Sequence, residues 1–134
     1  MNIILCVDDK NGMIFNHRRQ SHDRVLREHI LQLTAPHKLW MNTYSKRQFI
    51  EVDNRIIVDN KFLLKAEKNN YCFVEDDDIS HYTKSIEKII LFKWNRHYPA
   101  DTYFSVDLSK WTLESTMEFA GYSHKKITKE IYVK

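Results

Sequence analysis

The chain has 134 residues, 43% of them hydrophobic and 13% aromatic, and 21 Lys and Arg face 18 Asp and Glu. This length and apolar content predict a single domain over residues 1–134 and exclude a disordered chain. The net charge of +3 permits an anionic partner, nucleic acid included, without requiring one. No apolar run reaches the ~20 residues that span a bilayer, and no signal peptide is evident, so we expect a cytoplasmic protein without a membrane partner.

The first quarter of the chain combines an apolar run with a helical pattern. The run Ile3–Val7 predicts a strand buried on both faces, and the polar turn after it contains Gly12, which is suited to a positive φ. Residues 13–20 are expected to form a loop. Ser21 is expected to cap a helix that ends near residue 33 or 34. Four apolar residues form the inward stripe of this helix: Val25, Leu26, Ile30 and Leu33.

Short apolar runs continue along the middle of the chain. Lys38–Met41 and Arg55–Val58 predict strands, each followed by a short helical stretch, near Ser45 and over residues 62–66. Two further strands are predicted by the apolar runs 71–74 and 89–92. Three apolar residues between these runs fall on one face of a helix: Ile79, Tyr82 and Ile86. This strand–helix–strand unit, with Asp78 as the helix cap, lays two parallel strands side by side.

Beyond Trp94 the apolar residues alternate with polar ones. Residues 102–106, 111–119 and 126–133 are therefore predicted to be antiparallel strands with one packed face and one exposed face. On the middle segment the packed face is expected to consist of Trp111, Leu113, Ser115, Met117 and Phe119. Together the patterns predict an α/β fold, a mostly parallel sheet with an antiparallel C-terminal edge.

Four consecutive acids, Glu75–Asp78, occupy the turn between the predicted strand and helix of the middle unit. In many enzymes this turn is rich in glycine and binds phosphate through backbone N–H groups and the helix dipole. Carboxylates suit the end of a helix but repel a pyrophosphate at contact range. We therefore expect no phosphate cofactor at this turn. The simpler alternative is that the acids only cap a surface helix.

Several segments resemble dihydrofolate reductases in their order and spacing: Asn2–Ile14, Trp40–Met41, Ile86–Leu91, Pro99–Phe104, Asp107–Phe119 and Tyr122–His124. The resemblance implies a dihydrofolate reductase-like mixed sheet, mostly parallel, with an antiparallel C-terminal hairpin and short flanking helices. For a member of that family it would also imply reduction of a pterin by NADPH.

The functional residues of the family do not carry over with the fold. By the resemblance, the paired glycines of its nicotinamide nucleotide site fall at Glu75–Asp77, and its phosphate-holding Gly-Arg falls at Asn42–Thr43. Its folate-site threonine corresponds to Phe92, and its pterin-binding carboxylate lies a few residues beyond Asp23. The resemblance therefore implies the fold of the family without its nicotinamide cofactor. Residual reduction of a pterin remains as one alternative function.

The stretch His17–His29 is rich in charged and titratable side chains, with four arginines and three histidines but only one aspartate and one glutamate. If the resemblance holds, this stretch borders the same cleft as the acidic turn. In one hypothesis the two clusters simply pair with each other. In the favoured one the cleft binds a small anionic or nucleotide-like ligand, or a protein partner. The residues expected to line it are Arg18, Arg19, Arg24, His17, Glu75, Asp76 and Asp77.

An alternative function uses His22 and Asp23 as catalytic residues. A histidine that titrates near neutral pH, beside a carboxylate, suits acid–base hydrolysis of a phosphodiester, as in a ribonuclease. The histidine spacing matches no recognised ligand pattern, so we expect no metal site.

Overall fold

A computed structural model describes all 134 residues. The elements in chain order are β1 (Asn2–Val7), β2 (Gly12–Phe15), β3 (Arg18–Arg19), α1 (Arg24–Thr34), β4 (Leu39–Met41), α2 (Thr43–Lys46), β5 (Ile56–Val58), α3 (Phe62–Lys65), β6 (Tyr71–Phe73), a 3₁₀ helix (Ser80–Ser85), β7 (Lys88–Lys93), β8 (Thr102–Tyr103), a second 3₁₀ helix (Leu108–Lys110), β9 (Thr112–Phe119) and β10 (Ile127–Val133). None of the helices is long and apolar enough to cross a membrane.

Seven strands form one mixed sheet in the order β5-β4-β6-β1-β7-β10-β9. The strands from β5 to β7 run parallel, and β10 pairs antiparallel with both β7 and β9. The predicted mixed sheet with its antiparallel C-terminal hairpin is therefore confirmed. The prediction that β6 and β7 lie side by side is wrong, because β1 lies between them and pairs with both. A continuous apolar run such as β1 is suited to this central position, where both faces are buried.

The two long connections of the parallel sheet leave a crevice at its carboxyl edge. After β1 the chain crosses to β4 on one side, whereas after β6 it crosses over β1 to β7 on the other. Ligands of open α/β sheets bind at such a reversal, outside the carboxyl ends of the strands. The fold alone thus points to the ends of β1 and β6.

The core has two parts, one on each face of the sheet. On one face Ile3 and Leu5 pack with Ile79 and Ile86 from the connection between β6 and β7. On the other face, residues of α1 pack on the sheet in a cluster that includes Ile4, Leu26, Ile30 and Phe92. Side chains of β1 alternate between the two clusters, as the two-residue period of a strand requires.

Residues 13–20, predicted to be a loop, contain two short strands. They belong to a three-stranded sheet of order β3-β2-β8, in which Gly12 pairs with Tyr103. The partner strand is about 90 residues away in the chain, so no local pattern announces the pairing. The positive φ of the preceding turn is at Asn11 (62°), whereas Gly12 has none. Gly12 is instead required for space, since a Cβ there would lie 2.6 Å from the Cβ of Ala100.

Two predicted helix caps are wrong. The cap of α1 is Asp23, not Ser21, and its carboxylate accepts hydrogen bonds from the N–H groups of Val25 and Leu26. The segment after the acidic turn is a 3₁₀ helix that begins after Ile79. Asp78 still accepts a hydrogen bond from the Ser80 N–H at 2.9 Å, but in a local turn.

The strand β9 lies at the edge of the sheet and does not bury the face predicted for it. Leu113 and Met117, on that face, are 47% and 45% exposed. Its partner β10 carries a register shift between Ile131 and Tyr132. The alternating pattern therefore predicted β9, β10 and their antiparallel pairing correctly, but it did not predict which of them packs against the core. The strand predicted over residues 102–106 is wrong in length and place, because only Thr102–Tyr103 is a strand and it pairs with β2 in the three-stranded sheet.

Candidate ligand-binding site

The first acid of the turn after β6 is neutralised by an arginine. Arg19 on β3 forms a two-pronged pair with Glu75, with Nε 2.9 Å from Oε2 and Nη2 3.1 Å from Oε1. The guanidinium also lies 4.3 Å from the centre of the Tyr44 ring, and Nη2 donates to the Tyr44 carbonyl. Glu75 is buried, so this ion pair is a structural contact across the cleft. Arg19 and Glu75 therefore pair as expected if the arginine-rich stretch and the acidic turn simply neutralise each other.

The next two acids share one amide. The Asn42 side chain donates to Asp76 Oδ1 and to Asp77 Oδ2, both at 2.8 Å, while its own carbonyl caps α2. Burial raises the pKa of Asp77, the neighbouring Asp76 raises it further, and the hydrogen bond from Asn42 lowers it. By the resemblance to reductases, Asn42 occupies the position of a phosphate-holding residue. Here its side chain holds two carboxylates.

A cavity of about 330 Å³ opens beside these acids at the carboxyl ends of β1 and β6. Its apolar lining consists of Leu5, Met13, Val74, Ile79, Tyr103 and Phe104. Four aspartates also line it, Asp76, Asp77, Asp78 and Asp101. No lysine or arginine lines the cavity, so the local field is negative. Such a cavity suits a ligand with an apolar body and a positive group.

A second groove, of about 350 Å³, shares no lining residue with this cavity and is lined by Phe15, Asn16, Arg18, Arg19, Gln20, Tyr98 and Pro99. Arg18 is exposed there and forms no salt bridge. Arg24 lies apart from the groove, 4.5 Å from the Tyr122 ring and 3.8 Å from Glu28. His17 is exposed at the turn before β3, with a φ of 61°. The arginines that the sequence grouped together therefore have three different environments.

The proposed catalytic pair is not an interacting pair in the structure. His22 is exposed, whereas Asp23 is buried and is bonded to His124, with Nδ1 2.8 Å from Oδ2. The same carboxylate accepts from the backbone N–H groups of Tyr122 and Ser123, both at 2.9 Å. Burial raises the pKa of Asp23, but the hydrogen bonds from His124 and the backbone outweigh it and hold that pKa well below the usual range.

Sequence reasoning missed the importance of His124. Its ring is buried, stacks on Trp94 at 4.5 Å between ring centres, and bonds to Asp23 across 101 positions of sequence. Its Nε2 lies 3.0 Å from Ser21 Oγ and 3.3 Å from Tyr98 Oη. No local pattern signals these contacts, because they depend on how the turn before β10 meets the start of α1. The structure contains no group of three or more His, Cys, Asp or Glu side chains that is placed to hold a metal ion.

Gly121 packs directly against this carboxylate. A Cβ at this position would lie 2.7 Å from Asp23 Oδ2 and 2.9 Å from Ile127 Cδ1. We expect Gly121→Ala to lower the free energy of unfolding by about 1–3 kcal/mol, as overpacking does. Urea denaturation measures this, with Ala120→Gly, its exposed neighbour, as the control for a local change of backbone freedom. An unchanged stability of Gly121→Ala would contradict the close packing.

Comparisons with known proteins agree with this architecture. No protein-family model matches the chain, and no curated protein matches it. Among solved structures it is similar to dihydrofolate reductase from Enterococcus faecalis complexed with NADP(H) and RAB-propyl, with a TM-score of 0.69 over 98% of this chain and 94% of that chain. The chain has the dihydrofolate reductase fold. The identity is 11%, so the likeness concerns the fold alone and the predicted fold class is confirmed.

Proposed function

We propose that this domain of dihydrofolate reductase fold binds a small organic cation in the cavity beside the acidic turn, and that it uses no NADP(H). The observation that carries the proposal is the combination of four carboxylates with an apolar lining at the carboxyl ends of β1 and β6. A ligand with an amine, amidine or guanidinium group on an apolar body matches both features. Charge-assisted hydrogen bonds to the carboxylates would fix its orientation.

The same carboxylates argue against a dinucleotide. The solved relative is complexed with NADP(H), whose pyrophosphate is anionic. In this chain the turn after β6 carries acids, and Asn42 is bonded to two of them. A pyrophosphate placed at this turn would meet like charges at short range, and each such contact costs binding free energy. A cationic ligand at the same turn would be attracted by each of these carboxylates instead of repelled.

A second candidate function is the binding of an anionic or nucleotide-like ligand, in the groove beside Arg18. The specific observation in its favour is that Arg18 is exposed, faces a groove of about 350 Å³ and has no carboxylate partner. Tyr98 and Phe15 in the same groove offer aromatic surface to a base or ring. The two candidate sites share no lining residue, so one experiment separates them.

Thermal unfolding with a panel of probes tests both candidates. Benzamidine is the cationic probe, benzamide is its neutral match, and pyrophosphate and NADPH are the anionic probes. A true ligand at a hundredfold excess over its Kd adds about 2.7 kcal/mol to the free energy of unfolding. We expect benzamidine alone to raise the midpoint. Equal effects of benzamidine and benzamide, or a rise with NADPH, would overturn the cation proposal.

Two acid-to-amide variants locate the site. Asp101→Asn removes a carboxylate of the cavity, and Glu114→Gln removes an exposed one on β9 outside it. We expect the first to weaken benzamidine binding about tenfold, equivalent to about 1.4 kcal/mol, and the second to leave it unchanged. Isothermal titration calorimetry measures both. A rise with pyrophosphate that disappears in Arg18→Ala would instead support the second candidate.

A further inference from the structure

Three side chains near the start of α1 have the arrangement of a nucleophile, a base and an orienting acid. Ser21 Oγ lies 3.0 Å from His124 Nε2, and His124 Nδ1 lies 2.8 Å from Asp23 Oδ2. Asp23 is buried and its carboxylate is held ionised by several donors. An ionised carboxylate fixes the proton of His124 on Nδ1, which leaves the Nε2 lone pair toward the serine hydroxyl. The geometry of an activated serine depends on these relations and not on sequence order.

We propose that Ser21 is the nucleophile of an ester-hydrolysing site, with His124 as the general base and Asp23 as the residue that orients it. This activity is independent of the cation cavity and extends beyond the proposed binding function. Neither a motif nor the spacing in the sequence signals it, because His124 comes from the turn before β10. It differs from the pair His22 and Asp23, since His22 is exposed and takes no part in it.

Ser21 lines a small pocket of about 10 Å³ that shares Arg19 and Gln20 with the groove beside Arg18, so this groove is the route by which a substrate would reach the serine. Gln20, which precedes the serine, lines this groove, and so does Tyr98, whose hydroxyl lies 3.3 Å from His124 Nε2. Gln20 Oε1 is buried and accepts no hydrogen bond from the chain, whereas the Gln20 side-chain amide donates to Asp8 and to the Pro99 carbonyl. Arg18 lies at the groove and forms no salt bridge. The substrate class that fits is a small ester with a carboxylate at some distance from the scissile bond.

The reaction balances with water as the only co-reactant. Ser21 Oγ attacks the ester carbonyl carbon while His124 Nε2 takes the hydroxyl proton, and the oxygen–carbonyl bond to the leaving alcohol breaks as Nε2 returns that proton to it. Water then attacks the acyl-serine, with His124 taking a proton from the water and returning it to Ser21 Oγ. The products are one alcohol and one carboxylic acid. No electrons are exchanged with any other group.

A serine-directed fluorophosphonate tests the site on the intact wild-type chain. The reagent forms a phosphonyl ester with an activated serine and releases fluoride, and peptide mass spectrometry locates the adduct. A positioned base typically accelerates such a step by about 10²–10⁴-fold. We therefore expect labelling at Ser21 at least about a hundredfold faster than at exposed Ser109. Labelling of Ser21 at the rate of Ser109 would overturn the proposal.

Substrate hydrolysis gives the second readout. We expect the wild-type chain to hydrolyse the mono-p-nitrophenyl ester of glutaric acid with an initial burst of nitrophenol, and Ser21→Ala to lose both burst and turnover. Arg18→Ala should raise KM for this ester several-fold with little change for p-nitrophenyl butyrate, its uncharged match. Persistence of the burst in Ser21→Ala would overturn the assignment. Ser109→Ala is the matched control and should keep the burst, since Ser109 is exposed on the second 3₁₀ helix and takes no part in the contacts of His124 or Asp23.

Discussion

Asp23→Ala is expected to lower the free energy of unfolding by about 3–5 kcal/mol, because it removes one partner of a buried polar network. The first turn of α1 loses its cap, which alone is worth about 1 kcal/mol. His124 and the backbone N–H groups before it lose their acceptor while they remain buried near the turn. A buried donor without a partner costs its full desolvation penalty.

Urea denaturation measures this loss, and His22→Ala is its matched control. His22 is next to Asp23 in sequence but is exposed, so its removal should change the free energy of unfolding by no more than about 0.5 kcal/mol. Equal losses from the two variants would show that Asp23 does not hold the turn before β10 against α1. A loss confined to the cap, about 1 kcal/mol, would show that its bonds to His124 contribute little.

The contribution of the Asp23 carboxylate to stability depends on pH with a definite sign. The folded-state pKa of Asp23 is depressed, so its contribution to stability is fully present above the unfolded value of about 3.9. It is lost as the pH falls below that value toward the folded pKa. The difference in stability between wild type and Asp23→Asn should therefore be constant above about pH 5 and shrink below pH 4. A difference that grows on acidification would contradict the assignment.

The fold could be predicted because its main signals are local and repeated. The buried run of β1 and the alternation of β9 and β10 each specify an element from a few neighbouring residues. What could not be predicted depends on distant partners. The neighbours of β1 are set by tertiary contacts, and in the small sheet β2 pairs with β8, about 90 positions away in the chain.

In the candidate site, too, the features set by neighbouring residues could be predicted and those set by distant residues could not. The acidic turn was evident from four adjacent residues, and the structure places three of them at a cavity. Asp23 caps α1 where the sequence indicated Ser21, and only the fold brings His124 to its carboxylate. The arginines near β3 looked like one cluster in sequence, but a strand points successive side chains to opposite faces. Arg18 and Arg19 therefore have different surroundings.

Arg19→Met is expected to lower the free energy of unfolding by about 3 kcal/mol, because it leaves the buried carboxylate of Glu75 without its countercharge. Glu75→Gln should cost less, since it leaves a partly exposed guanidinium. In the double variant the two losses should not add, and we expect a coupling free energy of about 2 kcal/mol from a double-mutant cycle. Urea denaturation of the four proteins measures it.

The exposed pair of Arg24 and Glu28 is the matched control for this cycle. Both side chains are more than half exposed and 3.8 Å apart on one helix face, so their coupling should be about 0.3–0.5 kcal/mol. A coupling of Arg19 with Glu75 as small as that would mean that the guanidinium is free to leave its partner. It could then bind an anion in the groove beside Arg18, and the second candidate function would gain a second arginine. A large coupling would instead keep the Arg19 guanidinium paired with Glu75, which leaves Arg18 as the arginine of the groove that is free to recognise a ligand.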